Sequence, residues 1–433
     1  MARSLKVAVI GAGVSGLVAA RELQREGHRV VVYEKGDRLG GTWVYDPRVE
    51  SDLLSLDPNR EIVHSSTYHS LRTNFPRHIM GFSDYPCTVR KNGDPRNFPG
   101  REEMLGFLND FGRDFGLTEL IRFHTEVVRV ELVELRIDEW IVESRTSGLS
   151  SVDIFEAVVV CNGHHTEPRI ANFPGIEKWP GKQVHSHNYR VAEPFRNQVV
   201  VMIGAGYSAN DISREIAEVA KEVHLSSRAS DVKISKLDSY DNIWQHSKID
   251  YAYEDGTVAF EDGCSVKADI IFHCTGYKYH VPFLKTNGIV TIDDNRVGPL
   301  YKHVFPPQLG PFLSFVGLPF RIIIFGMVEL QSKWIAHVLS GKVSLPSKEE
   351  MLADVEQLYR HMEESRIPKH FTHQIHPNQN EYMDWLAAQV GIPPVEEKIK
   401  KIYAQHWEIV HSSQVEGYKD RWDVDDWISS QAF

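Results

Sequence analysis

The chain has 433 residues, 42% hydrophobic and 25% charged, the balance of a soluble globular protein of two or three domains at about 150 residues each. Disorder, collagen-like repeats and coiled coil are excluded as the main architecture. The formal net charge of −11 argues against a nucleic-acid partner, whose phosphates call for a basic surface. The four cysteines, Cys87, Cys161, Cys264 and Cys274, form no C-x-x-C pair. Neither a dithiol redox motif nor a cysteine-rich zinc site is expected, and a reducing compartment is.

No targeting segment or membrane anchor stands out, and a cytoplasmic protein is expected. The apolar run Leu5–Ile10 is short and meets glycines at once, which reads as a buried strand rather than a signal peptide. The most apolar region, 312–330, carries Arg321 and Glu329. A charge at mid-bilayer costs about 2.5–3.5 kcal/mol, so buried strand and helix are expected there.

The first unit is a strand at Lys6–Ile10, a glycine loop Gly11-Ala12-Gly13-Val14-Ser15-Gly16, a helix to about Glu26 closed by Gly27, and a second strand at Arg29–Tyr33. Glu34 follows, 23 residues after Gly11. This is the context that gives G-x-G-x-x-G meaning. Gly11 makes the tight turn, Gly13 lets backbone approach a pyrophosphate, and Gly16 lets helix pack on strand. The helix N-terminus offers free N–H groups to the phosphates.

Gly100–Phe115 reads as an amphipathic helix. Val127–Glu134 and Trp140–Ser144 read as antiparallel strands, and Ile154–Val160 as one apolar strand ending at Cys161-Asn162-Gly163. Residues 172–180, rich in proline and glycine, read as a linker. A second copy of the first unit then begins, 193 residues after the first. Gln198–Ile203 is its strand, and Gly204-Ala205-Gly206-Tyr207-Ser208-Ala209 its loop, with alanine in the third glycine's place as the fingerprint allows. A helix to about Lys221 and a strand Glu222–Ser226 follow. This strand ends in Ser227-Arg228, with Arg228 24 residues after Gly204. An acid accepts hydrogen bonds from a ribose 2′-hydroxyl, whereas an arginine pairs with a 2′-phosphate. The first unit therefore suits FAD or NAD and the second NADPH; the alternative for Arg228 is a solvated surface arginine.

Ala268–Cys274 is a further strand, leading into Thr275-Gly276. Ser347-Lys348-Glu349-Glu350 is a capping box opening a helix to about Ser365. Residues 368–394 show no clean periodicity. The resulting division is a first dinucleotide-binding domain over 1–165, a second inserted over 166–275, and a return of the first with a helical region over 276–433. The fold class is α/β, two Rossmann-like dinucleotide-binding domains, the second inserted in the first, of three-layer β/β/α type.

These features resemble the class B flavin-dependent monooxygenases. Arg38-Leu39-Gly40-Gly41-Thr42-Trp43 is similar to the family's R-x-G-G-x-W segment near the flavin. Trp179-x-Gly181-x-x-x-His185-x-x-x-Tyr189 resembles the identifying F-x-G-x-x-x-H-x-x-x-(Y/F), with Trp for Phe at its start. Phe272-His273-Cys274-Thr275-Gly276-Tyr277 resembles the A-T-G-Y segment, with Cys274 for Ala. Leu71–Arg77 is similar to the T-N-x-P stretch, whose asparagine, here Asn74, lies beside the flavin. The resemblance runs from residue 5 to about 345. Tyr189, where Baeyer–Villiger enzymes carry Trp, points to heteroatom oxygenation. His185–Arg190 and Ser65–His69 resemble the plant glucosinolate S-oxygenase-like branch, while the auxin-forming YUCCA branch is less similar around T-N-x-P.

The resemblance implies FAD on Gly11, Gly13, Ser15, Gly16, Glu34, Lys35, Arg38, Gly41, Thr42, Trp43 and Asn74. It implies NADPH on Gly204, Gly206, Tyr207, Ser208, Ala209, Ser227, Arg228, Thr275, Gly276 and Tyr277. NADPH would reduce FAD, and O2 as co-substrate would give a C4a-hydroperoxyflavin that oxygenates a thioether or amine of a small molecule. Asn74 would be the catalytic hydrogen-bond donor, with His185 and Tyr189 positioning rather than reacting. Gly40-Gly41 as a simple loop, His185 as a core histidine and Asn74 as a turn residue remain the alternatives. No H-x-x-x-H or H-E-x-x-H lies on a convincing helix, so no metal is expected. Other readings are a Baeyer–Villiger or N-hydroxylating enzyme, a disulfide reductase, which lacks its cysteine pair here, and a non-catalytic flavin- and NADPH-binding sensor. None of these motifs speaks to oligomeric state.

Overall fold

The computed structural model describes residues 3–133, 136–228, 235–237, 239–412 and 416–431. Glu134, the expected end of one strand, lies outside them. The chain divides into two compact units, one of residues 1–44, 72–163 and 279–433, the other of residues 45–71 and 164–278.

The first unit is built on a parallel sheet in the order Leu313–Phe315, Ala157–Val160, Lys6–Ile10, Arg29–Tyr33, Ile121–Arg122. Its central strand reads KVAVI and is buried along nearly its whole length, as a parallel strand covered on both faces must be. The helices Val14–Arg25 and Ile324–Ser340 pack on each other, the first also against the two central strands. The antiparallel strands Thr125–Val133, Arg136–Thr146 and Leu149–Phe155 form the other covering layer. The result is the expected β/β/α layering.

The second unit carries a sheet in the order Ser235–Lys236, Ile243–His246, Glu222–Ser226, Val199–Ile203, Ile270–His273, Lys182–His185, parallel except at its first pair. Side chains of a strand alternate between faces. Val200 and Met202 accordingly join a core with Ile212 and Ile216 of the helix Tyr207–Ala217. Val201 joins a separate core with Val258 and Phe260 of an antiparallel meander.

Several expectations are revised. The apolar run 154–160 is two strands, Leu149–Phe155 and Ala157–Val160. They part at Glu156, whose N–H donates to Lys6 O (2.9 Å) and whose carboxylate accepts from Lys6 N (2.8 Å). The first strand belongs to the antiparallel sheet and the second to the parallel one. The linker at 172–180 contains a short 3₁₀ turn, Ile176–Lys178. The unassigned region 368–394 holds the helix Gln379–Gln389. Residues 45–71, left in the first domain by the sequence division, group with the second unit. The capping box at Ser347 is formed in both directions, and its helix runs Lys348–Glu364.

Candidate functional site

In the first unit the glycine loop leaves the sheet between two neighbours. Gly11 N donates to Tyr33 O (2.8 Å), and Cys161 N donates to Ile10 O (2.9 Å). Gly11 has φ +106°, and a Cβ there would sit 2.6 Å from Cys161 O. A Cβ on Gly16 would collide with Gly11 O, so the third glycine is required where helix meets turn. No side chain caps the helix at Gly13, leaving the first-turn N–H groups of Val14, Ser15 and Gly16 for an anion.

Gly13 meets a second piece of backbone before it meets any ligand. A Cβ on Gly41 would lie 2.8 Å from Gly13 Cα, and Gly40 N donates to Ala12 O at 2.9 Å. The G-G pair of 40–41 is therefore no free loop; it closes a two-sided cradle with residues 11–13. Glu34 accepts from Ala12 N (2.9 Å) through one oxygen and from Gly36 N (2.7 Å) through the other. A carboxylate with about four lone-pair sites retains capacity for ribose hydroxyls. Lys35 and Arg38 are exposed and paired with Glu126 (2.7 Å) and Asp37 (2.7 Å). Ser15 faces Gly317, while Gly41 and Thr42 are exposed and Trp43 half-buried. The donor set and the cradle fit a dinucleotide.

The second unit repeats the arrangement. Gly204 N donates to Ser226 O (3.0 Å), and Cys274 N donates to Ile203 O (2.8 Å). Gly204 has φ +132°, with Cys274 O where its Cβ would be. The helix again starts at an uncapped glycine, Gly206. Two differences matter. A Cβ on Gly206 would meet nothing within 4 Å, so among the described residues no second segment closes this loop as Gly41 closes the first. And among the described residues no acid takes the N–H of Ala205 as Glu34 takes that of Ala12. Ala209 is buried, Tyr207 and Ser227 are half-buried, and Ser208 and Arg228 are exposed.

Thr275, Gly276 and Tyr277 turn back onto residues 167–169. Thr275 Oγ1 donates to Arg169 O, Arg169 N donates to Gly276 O (2.9 Å), and Tyr277 pairs with Pro168. The Tyr277 ring lies 5.2 Å from His165 and from His185; burial pushes its phenol up. His185 is fully buried and is pushed down to about 3, first by burial and then by His273 and His187. Its Nδ1 accepts from His187 N at 3.0 Å, and Tyr189 packs against Tyr68, Phe195 and Phe272. Both side chains sit inside the second unit.

Asn74, in the first unit, is half-buried. Its Oδ1 accepts from Lys419 Nζ (3.3 Å) and its backbone oxygen from the Tyr418 hydroxyl (3.0 Å). No sequence signal joins residues some 345 positions apart. Among the described residues one metal-capable group comes together, His246, Asp262 and Cys264. Its carboxylate and imidazole already have partners: Asp262 accepts from Ser247 N, Cys264 N and His246 Nδ1, and His246 Nε2 meets His224 Nδ1 at 3.0 Å.

No helix among the described residues is long and apolar enough to cross a membrane. The family model "Flavin-binding monooxygenase-like" matches residues 4–246 and 242–400. The chain is 54% identical to Flavin-containing monooxygenase FMO GS-OX5 of Arabidopsis thaliana, over 98% of this chain and 92% of that one. The solved S-allyl-L-cysteine S-oxygenase from Allium sativum superposes with TM-score 0.96 at 53% identity, covering 99% of this chain and 98% of that one. Tmm from a Pelagibacter strain superposes with TM-score 0.79 at 26% identity, covering 96% and 93%. Two dinucleotide-binding units of the same build, extending over a chain matched almost end to end, place this protein in the flavin-binding monooxygenase-like family, as an oxidoreductase that works with FAD, NADPH and dioxygen.

Proposed function

We propose that the chain is an S-oxygenase, transferring one oxygen atom of dioxygen to the thioether sulfur of a small molecule. The observation that carries this is the 53% identity, across 99% of the chain, to an enzyme that oxygenates the sulfur of S-allyl-L-cysteine. Tyr189 at the end of the identifying motif agrees with it.

In this reading the first unit is the FAD-binding domain and the second the NADPH-binding domain. Gly11, Gly13, Gly16 and Gly41 shape the flavin's pyrophosphate cradle, and Glu34 accepts from its ribose. Gly204 and Gly206 shape the second cradle, and Arg228 pairs with the 2′-phosphate. When bound, reduced flavin supplies the oxygen activation, and a soft sulfur lone pair is the nucleophile. Asn74 Nδ2 donates a hydrogen bond beside the flavin, and no side-chain nucleophile is required of the protein.

The test is a panel of thioethers, amines and ketones given to purified protein with FAD and NADPH. NADPH consumption is followed and products are identified by mass. S-alkyl cysteines should gain one oxygen as sulfoxides and should stimulate NADPH consumption more than amines or ketones. Esters from ketones, hydroxylamines as the preferred product, or NADPH consumption indifferent to every substrate would overturn the reading.

A further inference from the structure

We propose that Lys419 is a positioning residue for Asn74: its ammonium holds the amide oxygen and so turns Nδ2 outward as the hydrogen-bond donor. This rests on the proposed role of Asn74 beside the flavin. A side-chain amide fits a site in two orientations of nearly equal shape, and only its partners choose between them. Lys419 Nζ lies 3.3 Å from Asn74 Oδ1. An ammonium has three donors and no acceptor, so the flipped amide would set N–H against N–H. The charge also draws amide electron density toward oxygen and makes the opposite N–H a stronger donor. Nδ2 itself makes no hydrogen bond to any described residue, which leaves it available to a ligand.

The segment carrying Lys419 is held by contacts that do not use its ammonium. Arg72 Nη2 donates to Lys419 O (3.0 Å), Arg72 Nη1 pairs with Asp420 (2.6 Å), and Arg72 Nε donates to Phe98 O (2.9 Å). The Tyr418 hydroxyl donates to Asn74 O (3.0 Å), and its ring packs edge-on against Phe98 at 5.3 Å. Removing the charge at residue 419 therefore leaves these backbone contacts in place and frees the amide to turn. This gives the chain after residue 368, for which the sequence supplied no role, a task in the chemistry at Asn74.

The test compares Lys419→Met, Lys419→Arg, Asn74→Leu and the Asn74→Leu/Lys419→Met double variant, with methyl p-tolyl sulfide as the thioether. The first readout is the ratio of sulfoxide to hydrogen peroxide per NADPH consumed. Asn74→Leu and Lys419→Met should each lower it by about tenfold or more, the size expected for losing or misaiming one donor. Lys419→Arg should restore it to within about threefold, and the double variant should be no worse than Asn74→Leu alone. In Lys419→Met and Lys419→Arg, FAD content and the rate of flavin bleaching by NADPH should not move. The second readout is melting of the flavin-free protein, where the two substitutions should be non-additive by on the order of 1 °C. An unchanged ratio in Asn74→Leu would remove the reading of Asn74 and this inference with it. A changed ratio in Asn74→Leu beside an unchanged one in Lys419→Met, or effects that add in the double variant, would overturn the inference while leaving Asn74 as the donor. Loss of flavin or a fall of several degrees in Lys419→Met would show a merely structural role and overturn it too.

Discussion

At the single residue, the two units differ most where their second strands end. Glu34 stands there in the first, with both carboxylate oxygens on backbone N–H groups at 2.9 and 2.7 Å. Arg228 stands there in the second, exposed. A carboxylate would repel a 2′-phosphate, whereas a guanidinium pairs with it, a charge-assisted bond contributing about 1.5–3 kcal/mol. Arg228→Ala should therefore raise KM for NADPH by about tenfold or more and leave that for NADH within about twofold. Steady-state kinetics with both nucleotides reads this, and equal effects on the two would remove the assignment. Glu34 and Arg228 were both visible in the sequence, because a fixed spacing after a glycine loop marks the position. Lys419 was not, because only folding brings it to Asn74.

At the scale of elements, the first glycine loop is complete only with the Gly40-Gly41 segment. Gly41 has φ +55°, and a Cβ would sit 2.8 Å from Gly13 Cα, backbone that cannot step aside cheaply. Gly41→Val should part the two segments and spoil the cradle, so the purified protein should be nearly colourless while its far-ultraviolet circular dichroism stays native. A yellow protein with a full complement of FAD would show that residues 40–41 take no part in holding it. Both β-α-β units were legible because buried parallel strands, glycine turns and amphipathic helices each leave a period or a residue type behind. Other elements were not. The run 154–160 is uniformly apolar apart from Glu156, and nothing local tells it to change sheets there. The helix Gln379–Gln389 has no side-chain cap and buries Met383, Leu386 and Ala387 near the helix Ile324–Ser340; these stand at helical spacing, but Tyr382, Trp385 and Ala388 beside them blur the period.

For the whole molecule, the duplication 193 residues apart was the fact the sequence stated most clearly, and the allegiance of residues 45–71 the one it hid. That segment has no helix or strand of its own, so no periodicity announces where it belongs. Buried polar groups decide it. His185 N donates to Leu53 O (2.9 Å), His69 N donates to Arg190 O (2.9 Å), and Arg190 Nη2 donates to Ser65 O (2.8 Å). Asn188 accepts from Glu50 N (2.9 Å), and the Glu50 carboxylate pairs with Arg60 at 2.7 Å, the two side chains 0% and 4% exposed.

Glu50 makes this anchoring sensitive to acid. Burial alone would raise its carboxyl, but the His187 imidazole 3.4 Å away, the Ser55 hydroxyl and the Val63 N–H, which donates at 3.1 Å, more than offset it and hold it down to about 2. A carboxyl depressed in the folded state contributes its full stabilisation above its unfolded value, near pH 4.3, and loses it as pH falls from there through about 2. Glu50→Gln removes the charge while keeping an acceptor, and leaves the buried Arg60 with Glu167 at 3.1 Å as its remaining carboxylate. Breaking a buried pair in this way costs about 3–5 kcal/mol, so at pH 7 the variant's urea midpoint should fall well below that of the wild type. Between about pH 4.3 and 2 the wild type should lose stability more steeply than the variant, because it alone takes up a proton at residue 50 on unfolding. The difference between the two midpoints should therefore shrink as pH falls. A gap that stays constant from pH 7 to pH 3 would show that the fold does not depress the Glu50 carboxyl below its unfolded value.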